Sequence, residues 1–113
     1  MLEKVLRLTK NKEFDSVFKE GKSVYGRLLG IKIKKNELSY NRFGILLSTK
    51  VSKSAVIRNK NKRRIKGIIF EENKIIKQGH DIIIIVFPLI LNKKFEEIRE
   101  DIKNIFTKLK FYI

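Results

Sequence analysis

Apolar residues recur at spacings of three and four in three segments, which predicts three amphipathic helices. The first spans 11–21, where Asn11 is a good N-cap and Gly21 suits the left-handed position after a helix. The second spans 55 to about 77, and the third spans 95–109. Their apolar faces consist of Phe14, Val17 and Phe18, then Ile57, Ile65, Ile68, Ile69, Ile75 and Ile76, then Phe95, Ile98, Ile102, Ile105, Phe106 and Leu109.

Two other patterns predict strands. Segment 24–35 alternates with period two, so that Leu29, Ile31 and Ile33 oppose Gly30, Lys32 and Lys34. Segment 42–48 continues with β-favouring residues after a polar connector at 36–41, and we interpret these segments as antiparallel strands joined by a hairpin loop. Segment 81–88 is a continuous β-branched run, as expected of a strand buried on both faces.

The resulting order is a helix, two or three strands, a helix, a strand and a helix, which we write as α-β-β-β-α-β-α. It indicates an α+β fold, a single-domain α/β sandwich in which helices pack against one sheet. A chain of 113 residues is long enough for one domain and too short for two, so the domain should span 1–113.

The composition of the chain indicates its cellular compartment. With Cys 0 there is no disulfide framework and no cysteine-ligated zinc, which fits a reducing cytoplasm. The longest apolar run, 82–91, contains Pro88 and is about half as long as a membrane-spanning helix requires. Segment 1–7 lacks the apolar stretch of a signal peptide. We therefore expect a cytoplasmic protein with no membrane partner.

Charge changes the picture most. The formal net charge is +15, and segment 50–66 holds eight basic residues and no acidic one. Arg58, Lys62 and Lys66 lie four residues apart and so share a helix face, with no carboxylate at the neighbouring turn to neutralise it. A solvated face is the ordinary explanation of a charge run. Here the uncompensated repulsion favours contact with a polyanion, and a nucleic acid is the most plausible one.

Several further residues allow two interpretations. Phe14 and Phe18 either belong to the core or line a groove in which unpaired bases stack on them. Lys32 is either solvated or forms the floor of that groove. Asn59 either binds phosphate or a 2′-hydroxyl group, or holds Arg58 in place.

Catalysis by the chain itself is not indicated. His80 is the single histidine, and no cysteine is present to complete a dyad or a metal site with it. Most of the 12 acidic residues have basic neighbours one helical turn away, so no convergent acidic pair is expected. Gly26 and Gly30 do not match the spacing of nucleotide-binding loops.

Segment 58–66 closely resembles the Arg-Asn-Arg-x-Lys-Arg-x-x-Arg signature of the bacterial ribonuclease P protein subunit. The resemblance extends over nearly the whole chain. Segment 8–23 is similar to the family's N-terminal helix and the start of the strand after it. Segment 42–51 is similar to a strand of the family and the turn that follows it, and Asp81 matches the acidic residue before the family's aliphatic strand.

This resemblance implies an unusual left-handed βαβ crossover, against the usual right-handed rule. It also implies an RNA-binding accessory subunit of ribonuclease P, whose partners are ribonuclease P RNA and the 5′ leader of precursor tRNA. The RNA would carry the catalytic site and require Mg²⁺. The protein would then have no catalytic residue and no metal site or cofactor of its own, and it would not need to oligomerise.

Site residues follow by position in the resemblance. The residues implied to bind the catalytic RNA are Arg58, Asn59, Lys60, Lys62, Arg63 and Lys66. Those implied to line the leader-binding cleft are Phe14, Phe18, Arg27, Lys32 and Lys50.

The chain departs from the family pattern at a few positions. Lys60 and Lys66 replace arginines, which keeps the charge but loses the planar fork that binds phosphate through two hydrogen bonds. Lys32 stands where relatives often have an aromatic residue, and Thr49 replaces a lysine. The loop before the basic helix is one residue longer, and an arginine that relatives often have after the fourth strand is absent.

Two other functions compete with this one. A ribosomal or other structural RNA-binding protein could use the same basic helix without any role in processing. A protein-only nuclease would need a cluster of carboxylates or histidines, which the sequence does not offer.

Overall fold

The computed structural model describes residues 6–113. The residues before Leu6, on which most of the signal-peptide prediction rests, lie outside the described part. The elements are α1 (Asn11–Glu20), β1 (Lys22–Tyr25), β2 (Leu29–Lys35), β3 (Arg42–Leu46), α2 (Ala55–Glu72), β4 (His80–Val86), a short 3₁₀ helix (Pro88–Ile90) and α3 (Phe95–Lys108). The predicted α+β class and the order α-β-β-β-α-β-α are confirmed.

The four strands form one mixed sheet in the order β1-β2-β4-β3. Strand β2 pairs antiparallel with β1 and with β4, whereas β3 pairs parallel with β4. Ile84 of β4 is therefore opposite Ile31 of β2 on one side and Ile45 of β3 on the other.

The predicted hairpin between β2 and β3 is wrong, because β4 lies between them. Ile82, Ile83 and Ile84 are all 0% exposed, and only the centre of the sheet buries both faces of a strand. The connector 36–41 crosses the start of β4, where the Asn36 N–H donates to the Gly79 carbonyl at 2.8 Å.

Strands β3 and β4 form a parallel βαβ unit with α2 as its connection. The left-handed crossover that the family resemblance implies stays a prediction.

The sheet has one closed face and one partly open face. On the closed face Ile82, Ile84 and Val86 of β4, together with side chains of the neighbouring strands, pack against α2 and α3. On the other face a smaller cluster joins Val17 of α1 to Leu8 and to Ile83 of β4. Because α1 has only 10 residues, part of this second face stays uncovered.

Helix α1 begins one residue earlier than predicted, since Lys10 rather than Asn11 is the N-cap. The Glu13 carboxylate accepts the Lys10 N–H at 3.1 Å and so stabilises this end. Gly21 is not in the left-handed conformation, as its φ is −78°. A glycine is needed there for another reason: a Cβ would lie 2.9 Å from the Ile33 carbonyl oxygen.

Helix α2 ends at Glu72, before the predicted end near residue 77. Glu72 is buried and accepts hydrogen bonds from the Tyr112 hydroxyl and from Lys103 Nζ. Ile76 then forms an isolated bridge with Tyr112. The segment that was expected to continue the helix therefore pairs with the C-terminal tail. Ile57 and Ile75 are not part of the buried stripe, since they are 42% and 48% exposed.

Within residues 6–113, no helix combines the length and the apolar character needed to cross a membrane.

Candidate nucleic-acid interface

The uncovered part of the second sheet face is a shallow surface with aromatic and basic side chains. We call it the open face and define it by Phe18, Tyr25, Lys32, Leu46, Ile85 and Phe87. Phe18, Tyr25 and Leu46 are 40%, 54% and 37% exposed. Large apolar side chains exposed side by side on a small domain typically mark a binding surface.

Two aromatic rings of the open face lie over a glycine. The ring centroids of Tyr25 and Phe87 are 6.2 Å apart, and both rings lie above Gly30. A Cβ at Gly30 would collide with the Tyr25 ring. The glycine therefore allows Tyr25 to lie close to the sheet and present a flat surface.

Neither Tyr25 nor Phe87 was predicted as a site residue. Tyr25 lies opposite Gly30 in the β1–β2 register, and an aromatic residue paired with a glycine was the signal that could have identified it.

Phe18 and Lys32, two of the residues assigned to the cleft, lie next to each other in the structure. Lys32 Nζ lies 5.4 Å from the centroid of the Phe18 ring, a cation–π distance. Lys34, the next lysine of β2 on the same sheet face, instead donates to Ser16 of α1. Its Nζ atom lies 3.4 Å from Glu20 Oε1 of that helix. Lys32 is thus the β2 lysine that contributes charge to the open face.

Phe14 occupies a more enclosed position than Phe18. It is half-buried and contacts the small cluster of Leu8, Val17 and Ile83, and its ring lies over Gly44 of β3. A Cβ at Gly44 would be 2.6 Å from this ring. Of the two interpretations, Phe14 fits the core more closely and Phe18 the groove.

An arginine of β3 helps to fix helix α1 to the sheet. Arg42 donates from Nη2 to Asp81 Oδ2 at 2.8 Å and from Nε to Asp81 Oδ1 at 2.9 Å. Its Nη1 donates to Glu13 of α1. The hydrogen bond with Asp81, together with both carboxylate charges, raises the pKa of Arg42 despite its burial.

This arrangement also affects Glu13. Burial alone would raise the pKa of Glu13, but the N–H groups of Lys10 and Thr9 and the charge of Arg42 together lower it below its ordinary value. The sequence did not predict that carboxylates from α1 and β4 would converge on one arginine. Because the arginine lies between them, the group is an ion-pair network that positions α1.

The basic side chains of helix α2 are either exposed or partly buried. Asn59, Lys60 and Arg63 are exposed, and Lys62 and Lys66 are partly buried. Within the described residues, no basic side chain from Lys50 to Lys66 forms an ion pair. This charge is therefore free to contact an anionic partner.

Arg58 is held by the loop before the helix and not by Asn59. Its Nη1 donates to the Ser52 carbonyl at 2.8 Å. Ser54 caps the helix, because its Oγ accepts the Ile57 N–H at 3.3 Å. Asn61 is buried and donates to the Ile57 carbonyl at 3.0 Å, which explains an asparagine inside this helix.

A small cavity joins the two predicted groups of site residues. It has a volume of about 180 Å³ and lies between α1, the edge of β3 and α2. Phe14 lines it from α1, and Lys62 and Lys66 line it from α2. A nucleic acid on α2 would therefore lie next to the α1 side of the sheet.

Two predicted cleft residues lie apart from Phe14 and Phe18. The backbone N–H of Arg27 donates to Asp101 Oδ1 of α3 at 3.1 Å, and Arg27 lines a depression with Glu97, Glu100 and Asp101. Lys50 is exposed in the turn after β3, where its N–H donates to Ser48 Oγ at 3.2 Å. The described contacts do not bring either side chain to the aromatic rings of the open face.

His80 lies at the start of β4, where its ring makes packing and hydrogen-bond contacts. Its ring packs edge-on against Phe111, and Nδ1 lies 3.0 Å from the Gln78 carbonyl oxygen. Burial, with the nearby charges of Lys35 and Lys77, lowers its pKa. In the described part of the chain, no three His, Cys, Asp or Glu side chains are grouped so that they could hold a metal ion.

A half-covered mixed sheet beside an unpaired basic helix defines a small, strongly basic α+β protein of the nucleic-acid-binding class. The family model described as Ribonuclease P matches residues 2–110. The chain is 39% identical over 108 residues to the ribonuclease P protein component of Clostridium acetobutylicum, covering 90% of this chain and 87% of that one.

Solved structures agree with this match. A Staphylococcus aureus ribonuclease P protein mutant with defective mRNA degradation activity has a TM-score of 0.89 and 28% identity, covering 96% of this chain and 92% of that one. The ribonuclease P protein of Thermotoga maritima has a TM-score of 0.82 and 30% identity, covering 90% and 96%.

The chain therefore belongs to the bacterial ribonuclease P protein family, which confirms the resemblance seen in the sequence. Members of this family are the protein component of ribonuclease P, the ribonucleoprotein endoribonuclease of tRNA processing.

Proposed function

We propose that this chain binds ribonuclease P RNA through α2 and holds the single-stranded 5′ leader of precursor tRNA on the open face. The observation that carries the proposal is the position of the two surfaces. An unpaired basic helix lies beside a sheet face with exposed aromatic rings, and Lys62 of that helix lines one depression together with Leu46 and Ile85 of the open face.

Helix α2 offers the chemistry that an RNA backbone requires. Arg63, Lys60 and Asn59 are exposed and have donors available for phosphate oxygens. Arg58 uses one donor on the Ser52 carbonyl and keeps the others of its guanidinium group. Each phosphate that such a side chain neutralises releases counterions, so binding should weaken steeply with salt.

The open face suits a single strand better than a duplex. Phe18, Tyr25 and Phe87 present rings on which unpaired bases can stack, and Lys32 adds a charge for the backbone between them. In a duplex the bases are already stacked on each other and their faces are not available. The leader is the single-stranded part of the precursor, and we assign it to this face.

Chemistry in this scheme belongs to the RNA. The described residues contain no group of acidic or histidine side chains suited to a metal, so the protein would act by binding and by neutralising charge. Mg²⁺ held by the RNA would supply the hydrolysis of the phosphodiester. With a net charge of +15, the protein would reduce the repulsion between two polyanions.

The test is reconstitution with a ribonuclease P RNA at low Mg²⁺ and an assay of leader removal from precursor tRNA. We expect cleavage to be faster with the protein than with the RNA alone, and the protein alone to be inactive. An unchanged rate would contradict the accessory role. Cleavage by the protein alone would contradict the assignment of catalysis to the RNA.

A salt titration tests the role of α2. Arg58→Ala with Arg63→Ala should lower the slope of log affinity against log salt by about one for each lost phosphate contact. Arg63→Ala alone is the cleaner variant, because Arg58 also holds the Ser52 carbonyl. Arg99→Ala in α3 is the control with the same loss of charge, and an equal slope for both single variants would contradict the role of Arg63.

A further inference from the structure

A second basic surface lies on the other flank of α2, between that helix and the chain that joins β4 to α3. We call it the turn pocket. Its volume is about 580 Å³, and its main lining residues are Ile57, Lys60, Arg64, Leu91, Lys93 and Lys94. Of these six, only Lys60 belongs to the family signature seen in the sequence.

We propose that the turn pocket is a second contact site for the catalytic RNA, which takes a phosphodiester segment of that RNA. The inference rests on the proposed function, and it extends the RNA-binding surface from one flank of α2 to both flanks and onto the start of α3.

Charge is the first observation that supports it. Lys60 and Arg64 approach from α2, and Lys93 and Lys94 approach from the turn before α3. Among residues 6–113, no carboxylate lines the pocket. The carboxylate of Glu97, one turn into α3, accepts the Lys94 N–H at 2.8 Å and is engaged in capping the helix. Four cations without a counter-charge attract a polyanion and repel one another in its absence.

The pocket is also built from ordered backbone. Arg64 Nη1 donates to the Lys93 carbonyl at 3.1 Å and so joins α2 to the turn. Within the turn, the Lys93 N–H donates to the Ile90 carbonyl at 3.1 Å, and Asn92 adopts a left-handed φ of 64°. Because a guanidinium group has five N–H donors, Arg64 retains donors for a ligand after holding the turn.

An apolar floor gives the pocket a second type of contact. Ile57 is 42% exposed, although the sequence pattern placed it on the buried stripe, and Leu91 packs against the core beside it. A ribose or base could cover Ile57 while its flanking phosphates contact the lysines. This combination of apolar floor and basic rim matches a nucleotide segment better than a free inorganic anion.

Helix geometry separates this pocket from the leader surface. Lys62 and Lys66 line the cavity next to α1, whereas Lys60 and Arg64 line the turn pocket. Positions that differ by two residues point about 200° apart around a helix, so the two pairs lie on opposite flanks. The turn pocket therefore fits a segment of the catalytic RNA, which would span α2, and does not fit the leader.

The test uses the double variant Lys93→Gln with Lys94→Gln, titrated with ribonuclease P RNA at several salt concentrations. We expect the salt slope to fall by about two and affinity near 0.2 M salt to fall on the order of tenfold. The control is Lys108→Gln with Lys110→Gln, which removes the same charge from exposed positions at the end of α3. Equal slopes for the two double variants would overturn the proposal.

Cross-linking gives an independent readout. The chain contains no cysteine, so one introduced cysteine is a unique attachment point. A photo-cross-linker on Lys94→Cys should react with the catalytic RNA in the complex, and one on Lys108→Cys should not. Reaction with the leader of precursor tRNA from position 94 would overturn the assignment to the catalytic RNA.

The outcomes also distinguish this inference from the proposed function. If Arg63→Ala lowers the salt slope and the Lys93 and Lys94 variant behaves as its control does, the turn pocket is not a contact site and the role of α2 stands. If the unmodified protein neither binds the RNA nor accelerates cleavage, the proposed function fails first, and the turn pocket fails with it.

Discussion

The two faces of the sheet are made by the same four strands, but only one of them is closed. Ile82, Ile84 and Val86 point to the closed face and are covered by α2 and α3. On the other face Gly30 and Lys32 of β2 and Ile85 of β4 lie at the intervening positions, and the 10-residue α1 covers only part of them. Alternate residues of one strand can therefore serve stability on one side and binding on the other.

Neighbouring isoleucines of β4 should show the largest difference between the faces. Ile84→Ala should cost about 2 to 5 kcal/mol of unfolding free energy, because Ile84 is 0% exposed in the main core. Ile85→Ala should cost clearly less, because Ile85 lies half-buried on the open face. Urea unfolding measures both values, and equal losses would show that the second face is as closed as the first.

Two glycines of the second face should differ by a smaller amount. Gly44→Ala should destabilise by about 1 to 3 kcal/mol, because a Cβ would lie 2.6 Å from the half-buried ring of Phe14. Gly30→Ala should cost less, because the ring it displaces belongs to Tyr25, which is 54% exposed and can move into solvent. If Gly30→Ala were the more destabilising change in thermal unfolding, Tyr25 would be packed more firmly than its exposure indicates.

The smallest effect should be pH-dependent and should come from the attachment of α1. A carboxylate whose pKa is lowered by folding stabilises the protein above its ordinary pKa, and this contribution is lost as pH falls through the folded value. Glu13 has such a lowered pKa. Glu13→Gln should therefore cost about 1 kcal/mol at pH 7, and the difference from the unmodified protein should shrink below about pH 4.

Asp15→Asn is the matched control for this prediction, since Asp15 is exposed on the same helix. Its unfolding curve should follow that of the unmodified protein at both pH values. If Glu13→Gln lost stability equally at pH 7 and below pH 4, the ion pair with Arg42 would not be the reason for the loss.

Local patterns were enough to predict most elements, because helical and strand periodicity record which side of each element is buried. The β-branched run at β4 and the apolar repeat of α3 are the strongest examples. The pairing of β4 between β2 and β3 could not be predicted in this way, because it depends on competition among strands for the doubly buried centre. The end of α2 at Glu72 depends similarly on the distant Tyr112.

The same distinction between local patterns and long-range contacts applies to the site. The charge of α2 follows from the local sequence, but the exposure of Phe18 does not, because the helical pattern left a core position and a groove position open. The family resemblance placed both α2 and Phe18 in one function. Tyr25 and Phe87 are brought together by sheet register, and Lys93 reaches Arg64 only through the turn after β4. Such contacts join residues that are far apart in the chain, and periodicity contains no information about them.

The most direct test of the open face compares Phe18→Ala with the unmodified protein, each assembled with ribonuclease P RNA. The measurement is the affinity of each complex for precursor tRNA with its leader and for mature tRNA without it. We predict that Phe18→Ala weakens binding of the precursor by about 1 to 3 kcal/mol and leaves binding of mature tRNA unchanged. Equal affinities for the precursor, or an equal loss for both RNAs, would contradict the assignment of the leader to this face.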